Sequence, residues 1–157
     1  MIEQVPPVRL ATIADVNAIA AMSRDLIEQG LPWRWTAPRV RACLRDRHTN
    51  VAVVNDETAL RAFGIMEYAD EEAHLLLFAV DHRHRRRGIG AALLEWLEAV
   101  AREAGIRRIA LECRRENHAA RNFYGALGYH ERVIVRRMYS GVEDGIKLEK
   151  WLAPPRD

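Results

Sequence analysis

The reading of this chain turns on FAVDHRHRRRGIGAALLEWL, residues 78–97. An apolar run ends at Val80, a burst of Arg and His follows, and glycines stand at 88 and 90. Apolar residues then return at helical spacing, so the stretch reads as a strand turning into a helix at the glycines. The first amides of a helix lack partners inside it and carry roughly +0.5 of a unit charge from the aligned peptide dipoles. Gly88 and Gly90 add no Cβ, and Arg83, Arg85, Arg86 and Arg87 add positive charge, so the corner suits an anion such as a diphosphate.

The whole composition tempers that inference. Among the cationic residues only Lys147 and Lys150 are lysine, so arginine clusters are to be expected in this chain. The glycines therefore carry more of the argument than the arginines. At 157 residues, 49% hydrophobic and 29% charged, residues 1–157 are expected to form a single globular domain. A net charge of +2 is too small to argue for nucleic acid. No apolar run reaches the ~18 residues of a bilayer span, which argues against a membrane partner. The opening MIEQVPPVRL has no basic segment leading into an apolar one, as a secretory signal would. Cys43 and Cys113 match no metal or redox spacing, and two free thiols fit a cytoplasmic location.

Outward from the corner, HLLLFAV at 74–80 has the length and continuity of a central strand covered on both faces. Strands are expected at 8–12, at NVAVVND and LRAFGIMEYAD, at IRRIALEC, and at 131–139 and 146–152. Thr12 and Asp15 open a helix that Gly30 closes, with Val16, Ile19, Ala20, Ser23, Leu26 and Ile27 on its buried face. A second helix is expected at 39–47, a third at 89–104, and a short fourth from the cap Asn117 to Gly128. The order β-α-α-β-β-β-α-β-α-β-β predicts an α/β fold with one mixed sheet and helices on both faces.

Phosphate-binding motifs discriminate further. A Walker A loop needs Lys-Ser/Thr after its last glycine, and Ala91-Ala92 stand there instead. A dinucleotide fingerprint matches Gly88 and Gly90 but has Leu93 in its third glycine position, although an acid, Glu112, follows at about the right distance. The pattern R-x-x-G-x-G fits Arg85-Arg86-Arg87-Gly88-Ile89-Gly90 at every fixed position. A basic loop that merely caps a helix is the plainest alternative.

The last pattern resembles the pyrophosphate loop of the GNAT family of N-acetyltransferases, and NHAARNFYGALGY at 117–129 resembles that family's second signature. LECRRENHAARNFYGALGY and RRMYSGVEDGIKL look most like its bacterial ribosomal-protein-alanine N-acetyltransferases. The resemblance implies a mainly antiparallel sheet over nearly the whole chain, acetyl-CoA as co-substrate, and no metal. It implies that Phe78, Ala79 and Val80 offer backbone groups to the pantetheine arm. Arg85, Arg86, Arg87, Gly88, Ile89, Gly90 and Ala91 would wrap the diphosphate, chiefly through main-chain N–H groups.

The resemblance also gives roles to single side chains. Asn117 would contact the cofactor as well as cap its helix. Tyr124 would sit at the CoA sulfur and donate a proton to the departing thiolate; a phenol of pKa about 10 is protonated at neutral pH. Read locally, Tyr124 is equally a packed aromatic beside Phe123 and Leu127. Glu112 interrupts IALEC on the face opposite Leu111 and Cys113, either as a surface or ion-pair residue or, by the resemblance, as the general base. An ordinary carboxylate with pKa about 4.3 is a weak base, so the role asks for burial or a relaying water. Glu67 and His74 on neighbouring strands are substitutes. Direct attack by a neutral amine is expected; Cys113 has no His beside it in sequence to activate a covalent route.

The acceptor side should be built from LPWRWTAP, with Trp33 and Trp35 as contacts or as loop packing, and from the late hairpin around Tyr139. An α-amine of pKa about 7.7–8.0 is roughly a tenth neutral at pH 7, a lysine amine only about one part in a few thousand. A modest base therefore favours a protein N-terminal α-amine. The residues SGVEDG after Tyr139 depart from the Tyr-Pro of the alanine acetyltransferases and leave a small-molecule amine or polyamine open. A non-catalytic nucleotide- or RNA-binding module is the alternative of another class. Against RNA, aromatic residues do not alternate with the arginines as a stacking platform requires. The sequence is compatible with a monomer or a homodimer.

Overall fold

The computed structural model describes residues 4–84 and 88–154. In chain order these form β1 (Val8–Leu10), α1 (Val16–Met22), α2 (Ala37–Arg45), β2 (Thr49–Asn55), β3 (Leu60–Ala69), β4 (Glu72–Val80), α3 (Ile89–Glu103), β5 (Arg108–Arg114), α4 (His118–Ala126), β6 (His130–Tyr139) and β7 (Glu143–Trp151). The strands make one sheet in the order β1-β2-β3-β4-β5-β7-β6. Every neighbouring pair is antiparallel except β4 and β5, which the α3 crossover makes parallel. No helix among the described residues is long and apolar enough to cross a membrane.

Two cores follow from the two faces. On one, α3 lays Leu93, Leu94, Leu97 and Ala101, all fully buried, against Ala52, Ala62, Met66, Leu75, Ile109 and Leu111. Each such leucine contributes roughly 1.5–3 kcal/mol by leaving water. On the other, α1 and α2 cover Val51, Val53, Phe63, Ile65, Leu77 and Ala79 with Val16, Ile19 and Val40.

The first helix differs from the regular run that its spacing suggests. It enters through a 3-10 turn, Ile13–Asp15, where Asp15 accepts the Thr12 N–H at 2.8 Å and pairs with Arg9 at 2.9 Å. It leaves through a π turn, Ser23–Ile27, in which the Glu28 N–H reaches back five residues to Ser23 O at 2.8 Å. A π turn costs backbone regularity and is often found at functional sites. The second helix starts two residues earlier than its apolar pattern suggests, because Pro38 fits the first turn, where no amide partner is needed. The last strand likewise starts at Glu143, its polar first residues being held by pairing with β6.

Candidate active site

Among the described residues the sheet opens between β4 and β5. These strands pair only from Glu72 with Arg108 to Leu75 with Leu111. Beyond that, β4 stays laddered to β3 as far as Val80, and β5 to β7 as far as Arg114. The two central strands therefore diverge, leaving a fork through the sheet. A bulge starts the divergence: Ile65 faces Leu77 but Met66 faces Leu75, so Leu76 has no partner on β3. The extra residue also swaps faces. Ala73 and Leu75 point toward α3, whereas Leu77 and Ala79 point toward α1 and α2, which turns Phe78 and Val80 to the α3 side.

Phe78 stacks on Phe123 of α4, centroids 5.6 Å apart, and lies 6.2 Å from Tyr124. Phe78, Ala79 and Val80 thus line the fork, where the sequence expects the pantetheine arm. The α3 helix starts beside it. Gly88 has φ +79, a left-handed conformation that glycine adopts without strain, and its carbonyl accepts the first α3 hydrogen bond, from Ala92 N at 3.0 Å. The amides of Ile89, Gly90 and Ala91 precede that bond and have no carbonyl within the helix to meet. Gly90 serves a second purpose unforeseen from sequence: a Cβ there would stand 3.2 Å from the Phe123 ring and from Val80 Cγ2, so the missing side chain lets α4 close on α3. Arg85, Arg86 and Arg87 lie outside the described residues. Asn117 Oδ1 accepts the Ala120 N–H at 3.1 Å and so caps α4.

Tyr124 is 6% exposed, and burial, with Cys113 and Tyr139 nearby, holds its hydroxyl well above the ordinary phenol pKa. It stays protonated across the working range. Burial also pushes the Cys113 thiol up to about 11, far from the thiolate that a covalent route needs.

On the opposite face, His74 Nε2 hydrogen-bonds to Glu112 Oε2. Glu67 stands across from His74 on β3, and Lys147 across from Glu112 on β7. The Glu112 bond raises the His74 pKa above its usual 6.5 against the opposing pull of burial. The structure therefore gathers Glu112, His74 and Glu67 on one face of the sheet and sets Tyr124 on the other, with the fork between them.

Tyr139 reaches this region through a second irregularity. Between Val135 and Tyr139, β6 carries two more residues than β7 opposite, and Arg137 takes φ +52, its N–H donating to Asp144 Oδ1 at 3.0 Å. A Cβ on Gly145 would meet Met138 Sδ at 2.5 Å, so the bulge folds down only over a glycine. Burial raises the Tyr139 hydroxyl pKa, and Cys113 and Glu112 are near enough to add to the effect.

The loop at 31–36 divides the tryptophans. Trp35 is half-buried in the α1–α2 core with the Arg39 guanidinium 3.8 Å from its ring, a packing residue. Trp33 is 42% exposed, with Arg24 5.5 Å from its ring. Buried Glu28, which sequence reasoning missed, fixes the loop: it accepts the Ser23 hydroxyl at 2.8 Å and the Arg34 and Trp35 N–H groups at 2.7 and 3.2 Å. Arg114, two residues beyond Glu112, donates to Ile27 O at 2.7 Å and joins the π turn to the end of β5. An acid just before the helix-ending Gly30 was the available signal for Glu28. Among the described residues no cluster of His, Cys, Asp and Glu is arranged to hold a metal ion.

The acetyltransferase (GNAT) family model matches residues 20–129. The chain belongs to the GNAT family. Within the family it is similar to the ribosomal protein bS18-alanine N-acetyltransferase of Escherichia coli K12, 39% identical over 90 residues, 55% of this chain and 61% of that protein. The matched stretch therefore spans less than two thirds of that relative. An N-alpha-acetyltransferase of Sulfurisphaera tokodaii is 35% identical over 75 residues, 47% of this chain and 45% of its own. Among solved structures, the ribosomal-protein-S18-alanine N-acetyltransferase from Escherichia coli superposes with a TM-score of 0.79 at 26% identity over 96% of each chain. The ribosomal-protein-alanine N-acetyltransferase of Brucella melitensis shares the fold at 22% identity, with a TM-score of 0.79 over 93% of this chain and 99% of its own.

Proposed function

We propose that this chain transfers the acetyl group of acetyl-CoA to a primary amine, and that the amine is a protein N-terminal α-amine. The observation that carries the reading is the fork: a buried, protonated phenol on one face of the sheet and a carboxylate–imidazole pair on the other. The amine nitrogen attacks the thioester carbonyl carbon, a C–N bond replaces the C–S bond, and CoA leaves as the thiol. Donor and acceptor meet in the fork from opposite faces. Phe78, Ala79 and Val80 align the donor by backbone pairing along β4, as an extended amide chain adds to a strand. The diphosphate falls to Arg85, Arg86, Arg87 and Gly88 and to the α3 amides of Ile89, Gly90 and Ala91, and Asn117 is a further contact to the cofactor.

Tyr124 hydrogen-bonds the departing sulfur and supplies its proton. Glu112, with His74 bonded to it, takes the proton that the amine sheds as the new bond forms. That assignment makes His74 part of the base rather than a substitute for it. Trp33 and Tyr139 contact the acceptor, while Trp35 holds the loop. The α-amine is favoured for two reasons. It is already partly neutral near pH 7, and the similar proteins named above are alanine and N-alpha acetyltransferases.

The test is a melting shift with acetyl-CoA, then thiol release with N-terminal peptides, lysine peptides, small amines and polyamines. A stabilising shift and release with the N-terminal peptides are expected. No shift, or no release with any amine, overturns the reading; release only with polyamines or lysine moves the acceptor class. Gly88→Glu is expected to abolish the shift, because its carboxylate would occupy the diphosphate position. Gly88→Ala carries the same backbone strain without charge and keeps part of the shift.

A further inference from the structure

A buried polar cluster on the far side of α4 is unused by the chemistry above. Glu98 lies in the apolar face of α3 and is only 4% exposed. Its Oε2 accepts the Tyr129 hydroxyl at 2.9 Å, and Lys150 Nζ donates to its Oε1 and Oε2 at 2.9 and 3.2 Å. The same ammonium donates to Leu127 O at 2.8 Å, at the C-terminal end of α4. A cation there meets the orphan carbonyls and the negative end of the helix dipole. Tyr129 in turn is bound to Tyr124 in two ways: its N–H donates to Tyr124 O at 3.0 Å, and its ring meets the Tyr124 ring edge-on at 5.8 Å.

A buried ion pair is a poor way to gain stability. Desolvation offsets most of the attraction, and apolar residues of similar volume usually hold a fold as well or better. Position is what the cluster gives. Leucine at 98 and methionine at 150 would fill the space but could not grip a carbonyl.

We infer that Glu98, Lys150 and Tyr129 form a brace that positions Tyr124, fixing the end of α4 so that the phenol stays aimed into the fork. The brace rests on the reading of Tyr124 as the proton donor. It makes the three residues positioning residues, none of them touching substrate.

The experiment compares wild type, Tyr124→Phe and the triple variant Glu98→Leu/Lys150→Met/Tyr129→Phe by melting temperature and by kcat and KM for acetyl-CoA and an N-terminal peptide. The triple variant is expected to melt no lower than wild type, yet to lose at least tenfold in kcat with the acetyl-CoA KM within about threefold. A cluster that merely supported the fold would move stability and turnover together. Unchanged kcat in the triple variant, while Tyr124→Phe loses turnover, overturns the brace alone. Unchanged kcat in Tyr124→Phe overturns the donor assignment and the brace with it. Should the triple variant fail to fold, Tyr129→Phe decides. It removes one hydroxyl and keeps the ring, so a severalfold fall in kcat at constant acetyl-CoA KM supports the brace and no fall rejects it.

Discussion

The two faces of the sheet are built by different means. On the α3–α4 face, which we assign to the donor, rings pack on rings, Phe78 on Phe123 and Tyr124 on Tyr129, over a fully buried apolar core. On the α1–α2 face and at the β6–β7 hairpin, assigned to the acceptor, backbone departs from regular geometry. A π turn, a loop tied to Glu28 and a bulge with Arg137 at φ +52 are each fixed by one or two polar side chains. A donor that never changes suits a rigid, close-packed wall. An acceptor wall made of tied loops can be recut by a single substitution without disturbing the core.

The largest effect that sharpens this contrast is expected for Glu112→Gln. It leaves the donor face untouched, so kcat should fall by about 100-fold, the scale of losing one acid–base group, with the acetyl-CoA KM unchanged. Steady-state rates with varied acetyl-CoA check it, and a matching rise in that KM would mean the faces are not independent. Glu28→Ala should come next. It leaves the Arg34 and Trp35 N–H groups without their acceptor, at a stability cost of about 1–3 kcal/mol. The KM for an N-terminal peptide should rise severalfold while that for acetyl-CoA holds. Equal change in both would break the comparison.

The smallest effect is in pH dependence. Because the pKa of His74 is raised in the folded protein, the charged His74–Glu112 pair stabilises the fold fully below about 6.5, the unfolded value. That contribution is lost as pH rises through the higher folded value. Melting temperatures from pH 5.5 to 8.5 should therefore lose a shallow component in His74→Gln relative to wild type. The half-exposed ring keeps the component small.

Much of the α3–α4 face was legible in sequence because its signals are local and additive. Glycines at a strand-to-helix corner, an apolar run at 74–80 and a capped helix carrying Tyr124 each point to one element. The bulge at Leu76 was not, since one more leucine in a run of leucines changes no pattern yet turns Phe78 and Val80 to the other face. The π turn was hidden for a related reason: Ser23, Leu26 and Ile27 fit helical spacing, and only the contact of Glu28 with Ser23 and the loop makes the wider turn worthwhile. Glu98 and Lys150 were hidden because their partnership joins a helix to a strand 52 positions away.

A slot cut through a sheet has two mouths, and this has a kinetic meaning. If donor and acceptor enter by these two mouths as proposed, each can load while its counterpart is already seated, and double-reciprocal lines at several fixed concentrations of one substrate should intersect rather than run parallel. On the proposed function, spent CoA would retreat by the side it entered, and the acetylated acceptor by the other. Neither product would then wait behind its companion, and free CoA would rival only the thioester for its berth.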